Sequence, residues 1–149
     1  MDSRAGLNCG ADQTRSALLD AAKHFFALNG YEGTTVNQIV SRAGVNASLI
    51  SYHFGGKKGI YRACLEKMGE AKLDAAKRIL NPPRSVDELR SCLSLFIDEL
   101  LNWYGEEPEL TLIMLRECEI GSSAMVPIFE KTFLQIYGAL EMFLNRAKH

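Results

Sequence analysis

The 149-residue sequence predicts an all-α fold. Three observations predict it. Apolar residues recur at three- and four-residue steps along most of the chain. No segment alternates with the two-residue period of a half-buried strand. The periodic segments are bounded by helix-capping side chains, glycines and prolines. The architecture that follows is a three-helix, homeodomain-like head over residues 1–56, containing a helix-turn-helix at 35–54. A long fourth helix over 57–81 joins it to a helical body over 82–149.

The first helix is expected from about Thr14 to Asn29. Leu18, Ala21, Ala22, Phe25 and Phe26 form its apolar stripe, and Gly30 ends it. Its role is to buttress the helix-turn-helix, with His24 a surface or boundary residue and Tyr31 packed at the turn. The preceding MDSRAGLNCGADQTR is polar, lacks an apolar signal core, and reads as a short disordered arm. Arg4 or Arg15 on that arm could touch a minor groove.

The stretch TTVNQIVSRAGVNASLISYHFGGK, Thr34 to Lys57, reads as the helix-turn-helix. Thr35 caps its first short helix, and Gln38 three residues on completes a capping box. Val36, Ile39 and Val40 share one face. Gly44 supplies the left-handed backbone of the turn, and Asn46 caps the second helix. Ile50 and Phe54, with Val45, point back to the core. Asn46, Ala47, Ser48, Leu49, Ser51, Tyr52 and His53 are then left facing outward. A merely solvated face would normally carry more charge. Small, hydroxyl, amide and aromatic groups suit a DNA groove instead, where close backbone approach and reach to phosphates and base edges are needed.

Gly55-Gly56 makes a corner, and Lys57 begins the fourth helix, where the helix dipole disfavours a cation. A phosphate at that point would account for it; a solvated lysine is the alternative, and more so for Lys58. The helix continues through Ile60, Tyr61, Cys64, Leu65, Met68, Ala75, Ala76 and Ile79 to the break at Asn81-Pro82-Pro83. Ser85 and Glu88 suggest a second capping box before a helix carrying Leu89, Cys92, Leu93, Phe96, Ile97, Leu100, Leu101 and Tyr104. Gly105 and Pro108 separate it from a helix over about Glu109 to Glu119. Gly121-Ser122-Ser123 opens a last helix from about Ala124 to Arg146, with Pro127 tolerated in its first turn.

Charge is unevenly spread. Residues 1–80 carry 11 Lys+Arg against 7 Asp+Glu, and residues 81–149 carry 6 against 11. A mildly basic N-terminal half suits a polyanion. No run approaches the about 18 apolar residues of a membrane span. Cys9, Cys64, Cys92 and Cys118 form no C-x-x-C pair, so neither a metal site nor a disulfide frame is expected. No cofactor is expected either. Only three histidines exist, and no G-x-S-x-G, P-loop, dinucleotide fingerprint or H-E-x-x-H is present, so no enzyme is expected.

The segment AAKHFFALNGYEGTTVNQIVSRAGVNASLISYHFGGKKGIY strongly resembles the tetracycline-repressor (TetR) family of one-component regulators. The resemblance covers about the first third of the chain; beyond it the likeness is only all-helical. The SYHFGGK wording and a later LRECE…PIFE segment look most like its CecR-type branch. The resemblance implies a sequence-specific transcriptional regulator in the bacterial cytosol, associated with the nucleoid when bound. It implies a ligand-released repressor acting as a homodimer on a double-stranded DNA operator. Thr34 or Thr35, Tyr52, His53 and Lys57 would hold phosphates. Asn46, Ala47, Ser48, Leu49 and Ser51 would lie in the major groove. The body would enclose a small-molecule effector of unknown identity. Phe96, Leu100, Trp103, Tyr104, Met114, Glu117, Phe129 and Phe133 are candidate wall residues, and ordinary core packing explains the same residues. Arg116, Glu117 and Glu119 form either a surface cluster or a polar patch near that pocket.

Members usually continue with two further long helices that pack against a second subunit. This chain stops at His149, about where the first should begin. It is therefore expected to dimerise by other surfaces, such as the exposed side of its last helix, or to be a fragment or a weak monomeric binder. The alternative function is a ligand-binding or interaction module whose head no longer acts on DNA.

Overall fold

Two apolar cores, stacked along one long helix, organise the chain. A computed structural model describes residues 4–120 and 126–146. Within these, the side chains of residues 4–9, Met68, Trp103, Tyr104, Ile128 and Phe129 are not described. The expected opening of the last helix at Gly121–Ala124 lies outside the described residues, as does His149.

The elements are α1 (Arg4–Gly33), α2 (Val36–Ala43), α3 (Ser48–Phe54), α4 (Lys57–Ile79), α5 (Val86–Glu106) and α6 (Pro108–Ile120). The last segment is α7 (Val126–Ile128), a π-helical turn (Phe129–Phe133) and α8 (Leu134–Arg146). The described residues contain no strand.

Two helix expectations are corrected. The segment expected as a disordered arm is helical from Arg4 onward. It contains glycines but no proline, and extending a formed helix costs far less than starting one. The last segment is not one uninterrupted helix but widens into the π turn. There the buried Thr132 meets α4 so closely that a Cβ on Gly69 would lie 2.6 Å from its Oγ1.

The first core gathers Leu18, Ala22 and Phe26 of α1, Ile39 of α2, Ile50 of α3, and Ile60, Cys64 and Leu65 of α4. Leu110 and Ile113 of α6 close it. The head therefore does not complete its own core, and part of the body does. The second core joins Ala76 and Leu80 at the far end of α4 to Phe96 of α5 and Phe143 of α8. The break at 81–85 separates helices, but the cores run across it.

At Gly30, where the sequence predicts the first helix to end, φ is 71° and ψ −179°. A side chain would not tolerate that backbone. The chain turns there and runs on as a short helical piece to Gly33. Ser85 caps α5 as expected through Glu88 N–H, 3.1 Å from its Oγ. Glu88 reaches back one residue further than a capping box, accepting from Arg84 N at 2.7 Å.

Candidate nucleic-acid interface

Local hydrogen bonds build α2 and α3 as the sequence implies. Thr35 Oγ1 accepts from Gln38 N at 3.3 Å, and Gln38 Oε1 accepts from Thr35 N at 2.8 Å, so the capping box is closed in both directions. Gly44, in the left-handed region, ends α2. Asn46 Oδ1 accepts from both the amide and the hydroxyl of Ser48, at 3.0 and 3.1 Å. This side-chain turn starts α3 two residues after Asn46 and commits the Ser48 hydroxyl proton to Asn46, leaving the Ser48 oxygen able to accept.

Ile50 is only 1% exposed and anchors α3 to the head. Asn46, Ala47, Ser48, Ser51 and Tyr52 are exposed, the last by 81%. The His53 ring is half-buried, 4.9 Å from Tyr52 in an edge contact and 6.2 Å from Phe54. Leu49 departs from the expected outward face. It is half-buried and packs against the first core, because α3 is entered through a tight turn that rotates this first-turn residue inward.

Thr34 is the main correction. Its side chain is 1% exposed, and its hydroxyl lies 2.8 Å from the Gly30 carbonyl and 2.9 Å from that of Phe25. It closes the carbonyls freed at the kink and has no proton for a phosphate. Thr35 remains exposed at the start of α2.

Lys57 opens α4, with its ammonium 4.4 Å from the centroid of the Tyr31 ring. Arg15, expected on an arm, belongs to α1, and its guanidinium lies 5.3 Å from the Phe54 ring at the end of α3. The placement of this exposed cation beside α3 is legible only in three dimensions. Gly59 is a residue that the sequence did not single out. A Cβ there would fall 1.6 Å from the Phe54 carbonyl oxygen, so the α3–α4 corner demands glycine.

Of the eight candidate pocket residues, the five whose side chains are described do not share one cluster. Phe96 and Leu100 pack in the second core, whereas Met114 and Phe133 border the first. Glu117 is buried against Tyr61, whose hydroxyl donates to it. The Trp103, Tyr104 and Phe129 side chains lie outside the described residues. Neither of two described cavities is lined by any of those five. A cleft of about 430 Å³ is lined by α1 and α4, among them Asp12, Arg15, Glu66 and Lys67. A smaller one of about 40 Å³ lies between Glu66, Glu70, Lys131 and Thr132. Phe96 and Phe133, the aromatic candidates among the described side chains, are engaged in packing. Nor is Arg116–Glu119 one cluster: Glu117 is buried, Arg116 half-buried and Glu119 exposed.

Burial first, then the hydrogen bond to Glu117 and its charge, hold the Tyr61 phenol well above its usual pKa. Among the described residues, no group of three His, Cys, Asp or Glu is placed to hold a metal. No described helix is long and apolar enough to cross a membrane.

A family model described as bacterial regulatory proteins of the tetR family matches residues 18–64, from α1 to the middle of α4. The solved structure of HlyIIR, a hemolysin II transcriptional regulator, is 30% identical, with a TM-score of 0.62 over 93% of this chain and 74% of that one. The chain belongs to the TetR family of bacterial transcriptional regulators.

Among TetR-type relatives, the HTH-type regulator AcrR of Shigella flexneri is 29% identical over 143 residues, 91% of this chain and 64% of that protein. The HTH-type repressor NicS of Pseudomonas putida is 27% identical over 111 residues, 72% of this chain and 49% of that protein. The chain thus spans about half to two thirds of the length of these curated relatives. The matched segment 18–64 contains Thr35, the α3 face and Lys57.

Proposed function

We propose that this TetR-family chain is a sequence-specific transcriptional repressor that lays α3 in the major groove of an operator. The carrying observation is the exposed, uncharged face of Asn46, Ala47, Ser48, Ser51 and Tyr52, on a seven-residue helix anchored by one buried isoleucine and on the two residues that lead into it. Uncharged groups of this size let the helix backbone approach base edges, while flanking groups hold phosphates. Thr35 with the free amides of the first turn of α2, Tyr52, His53 and Lys57 are the phosphate partners. Ala47, Ser48 and Ser51 lie nearest the bases, with Leu49 at the margin.

The repressor acts in the bacterial cytosol as a homodimer, because two recognition helices must meet half-sites about 34 Å apart. A small-molecule effector in the body releases the DNA by favouring a different placement of α4. Supporting the coupling is the first core, in which α6 completes the packing of the head. A movement of α6 must be accommodated by α1 and α4.

The test is selection of bound duplexes from a random pool at several salt concentrations. A palindromic motif, with affinity falling steeply as salt rises, is the expected result. A single half-site would retain DNA binding and remove the homodimer. No enrichment at any salt would replace the reading with a ligand-binding or interaction module.

A further inference from the structure

We propose that Tyr31 is a positioning residue for Lys57, and that α6 holds Tyr31 in place through Glu117 and Arg116. The inference rests on the reading of Lys57 as a phosphate partner. A lysine has four rotatable side-chain bonds, and the N-terminal end of a helix repels its charge. Left to itself, the Lys57 ammonium would spread over many rotamers pointing away from the start of α4. Its Nζ instead lies 4.4 Å from the Tyr31 ring centroid, where the negative face of the ring attracts a cation.

The Tyr31 ring is itself wedged. It stacks on Phe26 with centroids 6.1 Å apart and planes 22° from parallel, and leans on Tyr61 at 5.0 Å. Phe26 and Tyr61 meet edge to face at 4.7 Å, and both are buried. Each is tied to α6 by a polar contact. The Tyr61 hydroxyl donates to Glu117, and Arg116 Nη1 donates to the Phe26 carbonyl at 3.0 Å. Glu117 is 5% exposed, and its second carboxylate oxygen is buried with no hydrogen-bond partner. Packing alone would favour an apolar residue at such a position, since burying an incompletely satisfied carboxylate is unfavourable. What the carboxylate supplies is one directional bond that sets where the Tyr61 ring stands. Adjacent residues of α6 thus hold the Tyr61 ring by its hydroxyl and the main chain that carries the Phe26 ring; these two rings support Tyr31, and Tyr31 supports the lysine.

The experiment measures affinity against salt for wild type, Lys57→Met, Tyr31→Leu, Tyr31→Phe and the Lys57→Met/Tyr31→Leu double variant, on a duplex recovered by the selection. Lys57→Met is expected to make the log–log salt slope shallower by about 0.9 for each phosphate that the lysine neutralises. Tyr31→Leu is expected to reproduce that change and to add nothing in the double variant, while Tyr31→Phe keeps the wild-type slope. A merely structural Tyr31 would lower folding stability and leave the slope unchanged, which would overturn the proposal. Should Tyr31→Leu not fold, Tyr31→Met is longer and more adaptable, also lacks the ring face, and is scored in the same way. The α6 contribution is tested by pairing Tyr61→Phe with Glu117→Leu, which removes both polar partners and orphans neither. This pair is expected to weaken binding in the Lys57 protein and to have no effect beside Lys57→Met; equal losses in both backgrounds would refute the link to α6. If Lys57→Met itself leaves the slope unchanged, the phosphate reading fails first. If Lys57→Met changes the slope and Tyr31→Leu does not, only the positioning proposal fails.

Discussion

Arg116 Nη1 donates to the main-chain carbonyl of Phe26 at 3.0 Å, so a side chain of α6 completes the last regular turn of α1. The bond is needed because α1 kinks at Gly30, which would otherwise leave carbonyls of that turn without partners. A Cβ at Gly30 would lie 3.1 Å from the same Nη1, so kink and guanidinium fit one another. Arg116→Met keeps the packed stem and removes the bond. It is expected to cost about 1–2 kcal/mol of stability by urea denaturation. A loss indistinguishable from zero would mean that water replaces the guanidinium.

Thr34 and Thr35 are neighbours with separable roles. Thr34→Val keeps the shape and leaves the kink carbonyls short of a donor, and should destabilise the fold by about 1–3 kcal/mol. DNA affinity, corrected for the folded fraction, should be unchanged. Thr35→Ala should cost about 1 kcal/mol through the capping box and also weaken DNA binding. Equal specific effects of both on affinity would restore Thr34 to the interface.

Tyr52 and Ser48 divide the proposed readout. Tyr52→Ala should weaken binding to all duplexes by a similar factor, on the order of tenfold for the removal of one phosphate partner. Ser48 substitutions should change which duplexes are selected. A Tyr52 variant with altered base preference, or a Ser48 variant with an unchanged selected motif, would reverse the two assignments.

Burial pushes the Cys64 thiol from 9.0 up to about 12, with Lys23 and Lys67 pulling it part of the way back. Above pH 9 the unfolded chain releases this proton while the folded chain keeps it. The folded state then binds more protons, so stability falls as pH rises from about 9 to about 12. Tyr61, also raised by burial, adds to that fall. Lys72 acts oppositely. Burial lowers it from 10.5 to about 8, against the pull of Glu99 and Glu106, so its contribution rises with pH between those values. The difference between wild type and Cys64→Ala isolates the thiol, and urea titrations at several pH values should show that difference changing above pH 9, as the wild type alone gives up the thiol's share of stability. A constant difference would show that Cys64 ionises in the folded protein. In the native state the exposed Cys118 should react with a thiol reagent well before Cys64.

Most of the helix-turn-helix head was legible because its determinants are local. Thr35 and Gln38 lie three residues apart, and Asn46 and Ser48 two apart, so caps and turns follow from spacing alone. The inward set of Ile39, Val40 and Ile50 is likewise a matter of helical period. Thr34 was misread because one residue separates a cap from a kink. Whether its hydroxyl faces solvent or the Phe25 carbonyl depends on the backbone at Gly30. The sequence left pocket wall and core packing open for the body's bulky residues, because a bulky residue at helical spacing looks the same in either role; Phe96 and Met114 are decided for packing only by the fold.

The sequence by itself determined the all-α class, the helix-turn-helix, the glycine turns and the uncharged outer face of α3. Periodicity and capping act within one or two turns, and so can be read along the chain. Only the tertiary structure decided that α6 completes the core of the head, that Arg15 lies against Phe54, and that Lys57 rests on Tyr31. It also decided that Glu117 is buried rather than part of a surface cluster. Those relationships join residues up to 90 positions apart. They depend on how whole helices pack, where small errors of rotation decide which side chain meets which, and no local rule carries that information.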